Sequence, residues 1–406
     1  MDGPLWISEL RDPNPATAAF LSACAEAGLY RMPELNMPDN TGYAPTPVNQ
    51  RRGRRWSAAD GYLRPAARRS NLDVRTGAQA RRIVFDGDRA TGVEYRGTDG
   101  AVHTVHATRE VIVSAGAVNS PHLLMLSGVG DPDQLRAHGI ATVAEARAVG
   151  RNLQNHPGVD LQFATRREDS LVSELDALGQ VKLGAEWILR RKGLGTTNFF
   201  ETGAFLRTRS SVAFPNVQYE FLPLRRAVRG GKIVAVPGFQ FWVDLSRPES
   251  RGSVTLRSSD PAEHPSIVFN HLAVRQDVVD LIDAIRLARR MTRQPAWESY
   301  RADEVVPGPD VESDADLERF LREKVGTSYH PSGTCRMGVD ADAVVDGEAR
   351  VRAVARLRIV DASIMPRVVT ANLNAAVLMM AEKVSDLIRG KAALAPADAP
   401  YYRAPA

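Results

Sequence analysis

The sequence predicts a mixed α/β fold, α+β overall, built from two interleaved parts. A short apolar run, Val111–Val113, leads through Gly116 into a helical pattern, as at the edge of a parallel sheet. Between about residues 161 and 268, apolar and polar residues alternate, which is typical of antiparallel strands. Helices are predicted at 274–293 and 314–323, the first of them amphipathic. A length of 406 residues suits two domains or one elaborate α/β unit.

The first 70 residues are rich in loop-forming residues and contain one helical stretch at 16–28. Two β-like runs follow at 71–85 and 90–97, with a turn signal at Asp86-Gly87 between them. This part of the chain therefore predicts short strands joined by turns.

The strand at Val111–Val113 is followed by several helix signals. Gly116 is expected to form the tight exit, Asn119 or Ser120 the N-cap, Pro121 the first helical position and Gly128 the end. A strand that turns through glycine into a helix is a nucleotide-binding arrangement, because the first N–H groups of the helix face the strand end.

The alternating region predicts strands at 216–222, 239–245 and 253–256. The chain closes with a predicted strand at 357–360 and a helix at 375–388. An Ala/Pro-rich tail follows.

Composition excludes several classes of protein. The formal charge of +4 comes from scattered basic residues, so no nucleic-acid surface is indicated. Cys24 and Cys335 give neither a disulfide framework nor a metal spacing, which favours a reducing compartment. No apolar run approaches the length of a membrane span. We expect a cytoplasmic protein without a metal, and contact with a membrane surface stays open.

The block YHPSGTCRMG at 329–338 holds the strongest catalytic candidate. Oxidation of an alcohol by hydride transfer needs a group that accepts the hydroxyl proton and a second group that holds the oxygen. His330 lies in a Gly/Pro-bounded turn, and a histidine there with an amide side chain opposite can do both. His156, in VGRNLQNHPG, is an intermediate candidate.

Asp361 and Asn374 each allow two interpretations. Asp361 ends an apolar strand, where a carboxylate needs a partner. That partner is either a ligand or the backbone of a turn that the carboxylate caps. Asn374 stands where the last helix begins, so it is either an N-cap or a group near a bound anion.

Long segments of the sequence resemble the glucose-methanol-choline (GMC) oxidoreductases. The block at 329–338, GAVNSPHLLMLSGVG at 116–130 and VGRNLQNHP at 149–157 resemble the signatures of that family. Further segments are similar to its choline-oxidising members, and they lie at 198–207, 215–223, 238–243, 250–270 and 344–351, with Tyr401 and Tyr402 in the tail. The resemblance covers nearly the whole chain.

The resemblance implies an FAD-binding domain interleaved with a substrate-binding domain that contains an antiparallel sheet. The expected segments are the FAD-binding domain at 1–158, the substrate-binding domain at 159–325, a return to the FAD domain at 326–392 and a tail at 393–406. G-x-G-x-x-G does not occur in these residues. The FAD domain is therefore expected to be partial and to lack its first βαβ unit.

The resemblance also implies roles for individual residues. His330 is expected to be the catalytic base, with Asn372 sharing the substrate oxygen. FAD is the implied cofactor, and the residues expected to contact it are Ala80, Gly116, Ala117, Asp361, Ala362 and Asn374. The helix that starts at Asn374 is expected to stabilise negative charge on the reduced flavin.

For the substrate, the resemblance implies a primary alcohol, choline in the first place, oxidised to betaine aldehyde by hydride transfer to flavin N5. Glu201 is expected to face the quaternary ammonium, and Tyr329 and Phe239 are expected to supply cation–π contacts, with Trp242 as a further candidate. Arginines at 225, 226 and 229 would oppose a cation if they pointed inward. The alternative is a non-catalytic remnant or half of a split enzyme. The electron acceptor and the oligomeric state stay open.

Overall fold

The computed structural model describes residues 3–167 and 171–396, so the last ten residues of the predicted tail, including Tyr401 and Tyr402, lie outside the described residues. The described residues form eight α-helices and twenty strands. The helices are α1 Pro15–Glu26, α2 Arg64–Ala66, α3 Gly116–Leu126, α4 Pro132–Ala137, α5 Ala177–Arg190, α6 Arg275–Thr292, α7 Asp314–Lys324 and α8 Asn374–Ile388. The strands of the first half are β1 Gly42–Pro45, β2 Gln50–Arg51, β3 Arg54–Arg55, β4 Gln79–Asp86, β5 Arg89–Arg96, β6 Val102–His106, β7 Val111–Val113, β8 Val129–Gly130, β9 Ala144–Glu145 and β10 Pro157–Thr165. Those of the second half are β11 Thr202–Leu206, β12 Val217–Leu222, β13 Arg225–Arg229, β14 Lys232–Val236, β15 Phe239–Leu245, β16 Ser253–Thr255, β17 Ser266–Val268, β18 Arg301–Val306, β19 Gly326–Thr327 and β20 Leu357–Ile359.

A large antiparallel sheet organises the second half of the chain. Its strand order is β1-β11-β12-β15-β10-β18, and β19 also pairs with β10. The predicted alternation is confirmed, because Tyr219, Phe221 and Phe241 project from one face and pack against α1 and α6. The register pairs Gln218 with Asp244, so the polar residues of β12 and β15 share the opposite face. Both strands are nearly buried throughout, and the polar face is therefore an interior wall.

The opposite end of the molecule is built around a short parallel pair. Strand β20 lies beside β7, with Leu357 opposite Val111 and Ile359 opposite Val113. Parallel strands end at the same edge, so Gly116 and Asp361 meet just beyond them. The Gly116 N–H donates to Asp361 Oδ2 at 3.0 Å.

Helix α3 begins earlier than the sequence predicts. It starts at Gly116, whose φ of +81° is in the region that favours glycine, and not at residue 119 or 120. The predicted N-cap Ser120 is inside the helix, and so is Pro121. A proline at this position cannot donate to the carbonyl of Ala117, four residues earlier. Thr334 Oγ1 donates to that carbonyl at 2.6 Å, which satisfies it.

The smaller sheets also differ from the prediction in detail. The β-like runs at 71–85 and 90–97 yield β4 and β5, but the first run becomes a strand only from Gln79. A third strand, β6, pairs with β5. The long helices α6 and α7 lie within a residue or two of their predicted bounds.

Two main hydrophobic cores hold the fold together. One lies between the large sheet and helices α1, α6 and α7. The other surrounds β7, β20 and α3 and includes Val254 and Leu256 from the region of β16. Helix α1, which the sequence assigns to the segment 1–158, packs in the core of the large sheet. The domain boundaries at 158 and 325 stay predictions. None of the described helices combines the length and the apolar character that crossing a bilayer requires.

Candidate active site

His330 lies where the polar face of β12 and β15 meets the C-terminal part of the chain. Its Nδ1 is 2.9 Å from Nδ1 of His156, and its Nε2 is 3.4 Å from Nδ2 of Asn372. The His330 N–H donates to Oδ1 of Asn155 at 2.8 Å, which fixes the backbone of the turn. The structure therefore brings together the two predicted catalytic groups, His330 and Asn372, and adds His156.

The hydrogen bonds assign the tautomers of both histidines. His156 Nε2 is 2.9 Å from the carbonyl oxygen of Val369, and a carbonyl only accepts, so this nitrogen carries a proton. In neutral His156 the other nitrogen, Nδ1, is then an acceptor. His330 must donate to it from Nδ1, which leaves the Nε2 lone pair of His330 on the side of Asn372.

Burial keeps both rings uncharged. It lowers the pKa of His156 to about 3, with a further contribution from His330, and it lowers the pKa of His330 to about 4. Both imidazoles are therefore neutral near pH 7. His330 Nε2 is a proton acceptor in that state, as a general base requires.

Asn372 connects the histidine to the sheet. Its Nδ2 donates to Glu220 Oε1 at 3.3 Å, and its Oδ1 accepts from Gln218 Nε2 at 3.3 Å. Gln218 also donates to Glu220 Oε1 at 3.1 Å. The amide of Asn372 is exposed, and it can hold a ligand oxygen beside His330.

Two carboxyl groups, Glu220 and Asp244, stand next to this pair and were missed in the sequence. Asp244 Oδ2 accepts from Ser328 Oγ at 2.6 Å, and the same hydroxyl accepts from Trp242 Nε1 at 2.8 Å. Burial raises the pKa of Glu220, and it raises the pKa of Asp244 to about 8 with help from the charge of Glu220. An acidic residue between apolar or aromatic neighbours within a predicted strand is the signal that could have identified both.

Glu201 has a different environment from the one expected. It is completely buried, and its Oε2 accepts from the Asn14 N–H and from Thr17 Oγ1, each at 2.6 Å. Its Oε1 accepts from Thr197 Oγ1 at 2.8 Å. Glu201 thus ties the start of α1 to the segment before β11. This environment does not support the expected contact with a substrate cation.

Phe239 does not face the catalytic pair. Its ring stacks on Trp297 with centroids 4.3 Å apart, and on Phe163 at 5.1 Å. These rings belong to the core between the large sheet and its helices. The strand alternation explains the difference, because odd-numbered residues of β15 project away from the polar face.

The other two aromatic candidates lie closer to the catalytic pair. Trp242 projects from the polar face, and its indole N–H binds Ser328, two residues before His330. Tyr329 precedes His330 directly, with a side chain 84% exposed and a φ of +60°. Their contact with a cation stays a prediction.

Asp361 joins the segments that follow the two parallel strands. Its Oδ2 accepts from the Gly116 N–H and, at 2.5 Å, from Ser120 Oγ, while its Oδ1 accepts from the Ser363 N–H at 2.8 Å. The turn-capping interpretation thus describes its geometry. Three protein donors hold the carboxylate, so the side chain positions Gly116 and Ala362, and its expected contact with the cofactor stays a prediction.

The starts of α3 and α8 are suited to a dinucleotide. Neither helix is capped by the side chain of its own N-cap residue. Asp361 binds the Gly116 N–H, and the N–H groups that follow it are available to an outside partner. Asn374 is the first helical residue of α8 and not its N-cap, which is Leu373. A Cβ on Gly116 would meet only open space, so backbone can be approached there. Next to α3 a cleft of about 270 Å³ is lined by Gln79, Ala80, Ala115, Asn119, His122, Leu123, Leu126, Pro261, Ala262, Glu263 and His264.

The arginines near the sheet do not place a free charge beside His330. Arg226 pairs with Asp160 at 2.8 Å, and Arg225 Nε donates to the Pro237 carbonyl at 2.8 Å. Arg229 is exposed in the hairpin formed by β13 and β14. Within the parts of the chain that the structure describes, no cluster of three or more His, Cys, Asp or Glu side chains could hold a metal ion.

Uncapped helix starts, a glycine turn and a neutral histidine beside an amide define a dinucleotide-dependent oxidoreductase. The GMC oxidoreductase family models match residues 1–158 with the N-terminal domain and 248–381 with the C-terminal domain. The chain belongs to the GMC oxidoreductase family and is an FAD-dependent enzyme of that family.

Relatives and solved structures agree with this assignment. The chain is 44% identical to the oxygen-dependent choline dehydrogenase of Ectopseudomonas mendocina, over 99% of the chain and 72% of that protein. It is 46% identical to the enzyme of the same name from Burkholderia lata, over 96% of the chain and 69% of that protein. Pyridoxine 4-oxidase from Mesorbium loti superposes with a TM-score of 0.83 at 30% identity, over 96% of the chain and 73% of that structure. Formate oxidase shares the fold, with a TM-score of 0.88 at 24% identity, over 96% of the chain and 73% of that structure.

The N-terminal family model bears on the expected gap in the FAD domain. It matches from residue 1, so the expectation that the N-terminal FAD-binding segment is missing is not supported. The alternative of a truncated or inactive homologue has no support from these comparisons either.

Proposed function

We propose that this protein oxidises the CH–OH group of a primary alcohol, with choline, converted to betaine aldehyde, as the first candidate. The observation that carries the proposal is the neutral His330, whose Nε2 lone pair lies 3.4 Å from the Asn372 amide. A hydroxyl group placed between these two side chains has both a proton acceptor and a donor to its oxygen.

Two side chains of the protein bind the alcohol and remove its proton in this proposal, and three others position them. Asn372 holds the alcohol oxygen, and Glu220 and Gln218 hold Asn372 in turn. His330 Nε2 takes the hydroxyl proton. His156 accepts from His330 Nδ1 and so keeps the ring in the tautomer that has a free Nε2. Bound FAD supplies the acceptor for the hydride that leaves the carbon.

The cofactor would be held mainly by backbone groups. Ala117 at the start of α3 would offer its N–H group to the dinucleotide, Gly116 would let the cofactor approach the backbone closely, and Ala80 lines the adjacent cleft. Asn374 at the start of α8 would face the flavin, with the positive end of the helix near the reduced ring. Ala362 lies at the turn that Asp361 caps.

Choline is supported by the names of the relatives and by the carboxyl groups of the polar wall. Glu220 and Asp244 stand beside Asn372 and its neighbours, where a quaternary ammonium would bring a positive charge. A carboxylate about 4 Å from a cation contributes roughly 4 kcal/mol at an effective dielectric near 20, before desolvation.

Flavin reduction tests the proposal directly. We expect the purified protein to show a flavin absorbance spectrum, and anaerobic choline to bleach it. His330→Ala should retain the flavin but reduce it about 10²–10⁴-fold more slowly. A protein that binds no FAD, or a His330→Ala variant that is reduced at the normal rate, would contradict the proposal.

A further inference from the structure

The polar wall holds two carboxyl groups that removal of the alcohol proton does not use. Glu220 on β12 and Asp244 on β15 project from the same face, because Gln218 is opposite Asp244 and Glu220 is opposite Trp242. The two acids are thus diagonal neighbours across the strand pair. Asn372 links Glu220 to His330, so the pair adjoins the place where the alcohol is oxidised.

The neighbours of these carboxyl groups are neutral. Asp244 Oδ2 accepts from Ser328 Oγ at 2.6 Å, and Glu220 Oε1 accepts from the amides of Gln218 and Asn372. On the side of β11 the residue opposite Glu220 is Gly203, which brings no side chain. The hydrogen bonds of both acids therefore bring no positive charge to the pair.

The titratable groups on the surrounding elements bring no positive charge to Glu220 and Asp244 either. On β10, Gly158 is opposite Asp244, and the acid of that strand, Asp160, is paired with Arg226. From the C-terminal side the wall faces His330, with His156 behind it, and burial keeps both rings neutral. Two buried acids without a cation cannot both ionise cheaply, and burial together with mutual repulsion raises the pKa of Asp244 to about 8.

A second observation is that two buried oxygens of the wall have no hydrogen-bond partner among the described residues. Gln218 is only 5% exposed, and its Oε1 has no hydrogen-bond partner among the described residues. Asp244 is 1% exposed, and its Oδ1 also lacks a partner within that part of the chain. These two unpartnered oxygens belong to residues that are opposite each other in the strand register, and they form an electronegative surface that a positively charged group would neutralise.

We propose that Glu220 and Asp244 share one proton in the substrate-free enzyme and release it to solvent when a cationic alcohol binds beside them. This inference rests on the proposed function, because it takes the substrate to be an alcohol oxidised at His330. The cation takes the place of the proton as the positive charge of the pair. Binding of a neutral alcohol leaves the proton where it is.

Coupling of proton release to cation binding predicts that the pH dependence of oxidation differs between choline and its neutral isostere, 3,3-dimethylbutan-1-ol. For choline, kcat/KM should rise by up to tenfold per pH unit between about pH 6 and 8, while for the isostere this increase should be absent. Calorimetry with ethyltrimethylammonium, which has no hydroxyl group to oxidise, should show release of close to one proton when buffers of different ionisation enthalpy are compared.

Two variants test whether Glu220 and Asp244 are the groups that bind the cation and release the proton. Glu220→Gln should lower kcat/KM for choline at least about tenfold more than for the isostere, and Asp244→Asn should flatten the pH dependence for choline. Asp303→Asn is the matched control, because Asp303 is an exposed carboxyl on β18 of the same sheet. Bound flavin and an unchanged melting temperature verify that each variant is folded.

The outcomes separate this inference from the proposed function. If neither alcohol reduces the flavin, the proposed function fails. If both are oxidised with the same pH profile, or calorimetry of the wild-type protein detects no proton release, the linkage is refuted while alcohol oxidation stands.

Discussion

His156 fixes the protonation pattern of His330 through a single contact between their Nδ1 atoms, which are 2.9 Å apart. The rings meet edge to face, with an interplanar angle of 79°, so the His330 N–H can point at the His156 lone pair. The Val369 carbonyl completes the chain by accepting from His156 Nε2. The backbone carbonyl of Val369 therefore determines which nitrogen of the catalytic histidine is basic.

Replacing His156 should slow catalysis without removing any group that touches the substrate. His156→Phe deletes the acceptor, so the His330 proton can move to Nε2 and block the base. We expect flavin reduction to fall about 10–100-fold, the usual effect of an outer partner that fixes a histidine tautomer. His156→Asn keeps a side-chain acceptor and should recover part of the rate.

The pH profile separates positioning from simple damage to the fold. In His156→Phe the apparent pKa of the base should move, whereas a structural defect would lower the rate equally at every pH. A Phe variant with the wild-type rate and profile would show that His156 does not position His330.

The low pKa of His330 predicts activity well into the acidic range. With a pKa of about 4 the ring stays neutral down to that pH, and protonation removes the base as pH falls through it. Stopped-flow reduction by the neutral isostere should therefore be nearly constant from pH 7 to about 5 and decline below. A loss of rate centred near 6.5, the value of an unperturbed histidine, would contradict this.

Local sequence patterns predicted the catalytic block but not its surroundings. His330 and Asn372 could be found because turn residues and a helix start flank them in the chain. Glu220 on β12 and Asp244 on β15 share one wall only through the pairing register, and His156 directly precedes β10, the next strand of the sheet. The register is set by the packing of the whole apolar face, which local periodicity does not encode.

Phe239 and Glu201 have surroundings that differ from those expected, for related reasons. Phe239 belongs to an alternating strand whose inward face could be either side, and the odd-numbered positions turned out to form the core. The sequence around Glu201 shows no hydrogen-bond partner for its carboxylate, because Asn14 and Thr17 are more than 180 residues away in the chain. Likewise, Pro121 predicted a later start for α3, since nothing nearby shows that Thr334 compensates for it.

Glu201 should stabilise the fold and should not contribute to binding of the substrate cation. Glu201→Ala removes the acceptor of one buried and two partly buried donors, so we expect the free energy of unfolding to fall by roughly 2–4 kcal/mol. Glu201→Gln, which keeps the size of the side chain, should cost less. Chemical denaturation measures both changes. A selective loss of choline turnover in Glu201→Gln, with the isostere unaffected, would restore the expected role in cation binding.

Asp244 should make the protein less stable as pH rises. Its folded pKa of about 8 is above the value of roughly 3.9 in an unfolded chain, so the folded state binds the extra proton between these values. Stability from this group is full below about pH 4 and is lost as pH rises through about 8. Melting temperatures of wild-type protein and Asp244→Asn should therefore diverge from pH 5 to 8 in favour of the variant. Parallel curves would show that Asp244 is ionised throughout.

Thr334 should stabilise α3 at the position where Pro121 interrupts its hydrogen bonds. Thr334→Val keeps the shape of the side chain but leaves the Ala117 carbonyl without its 2.6 Å donor, at a cost of about 1–3 kcal/mol. Thr334→Ser retains the hydroxyl and is the matched control, expected to lose less. Because α3 begins the dinucleotide site, the Val variant should also bind FAD more weakly, which flavin titration at constant temperature would measure. Equal stability of the Val and Ser variants would show that another group satisfies the Ala117 carbonyl.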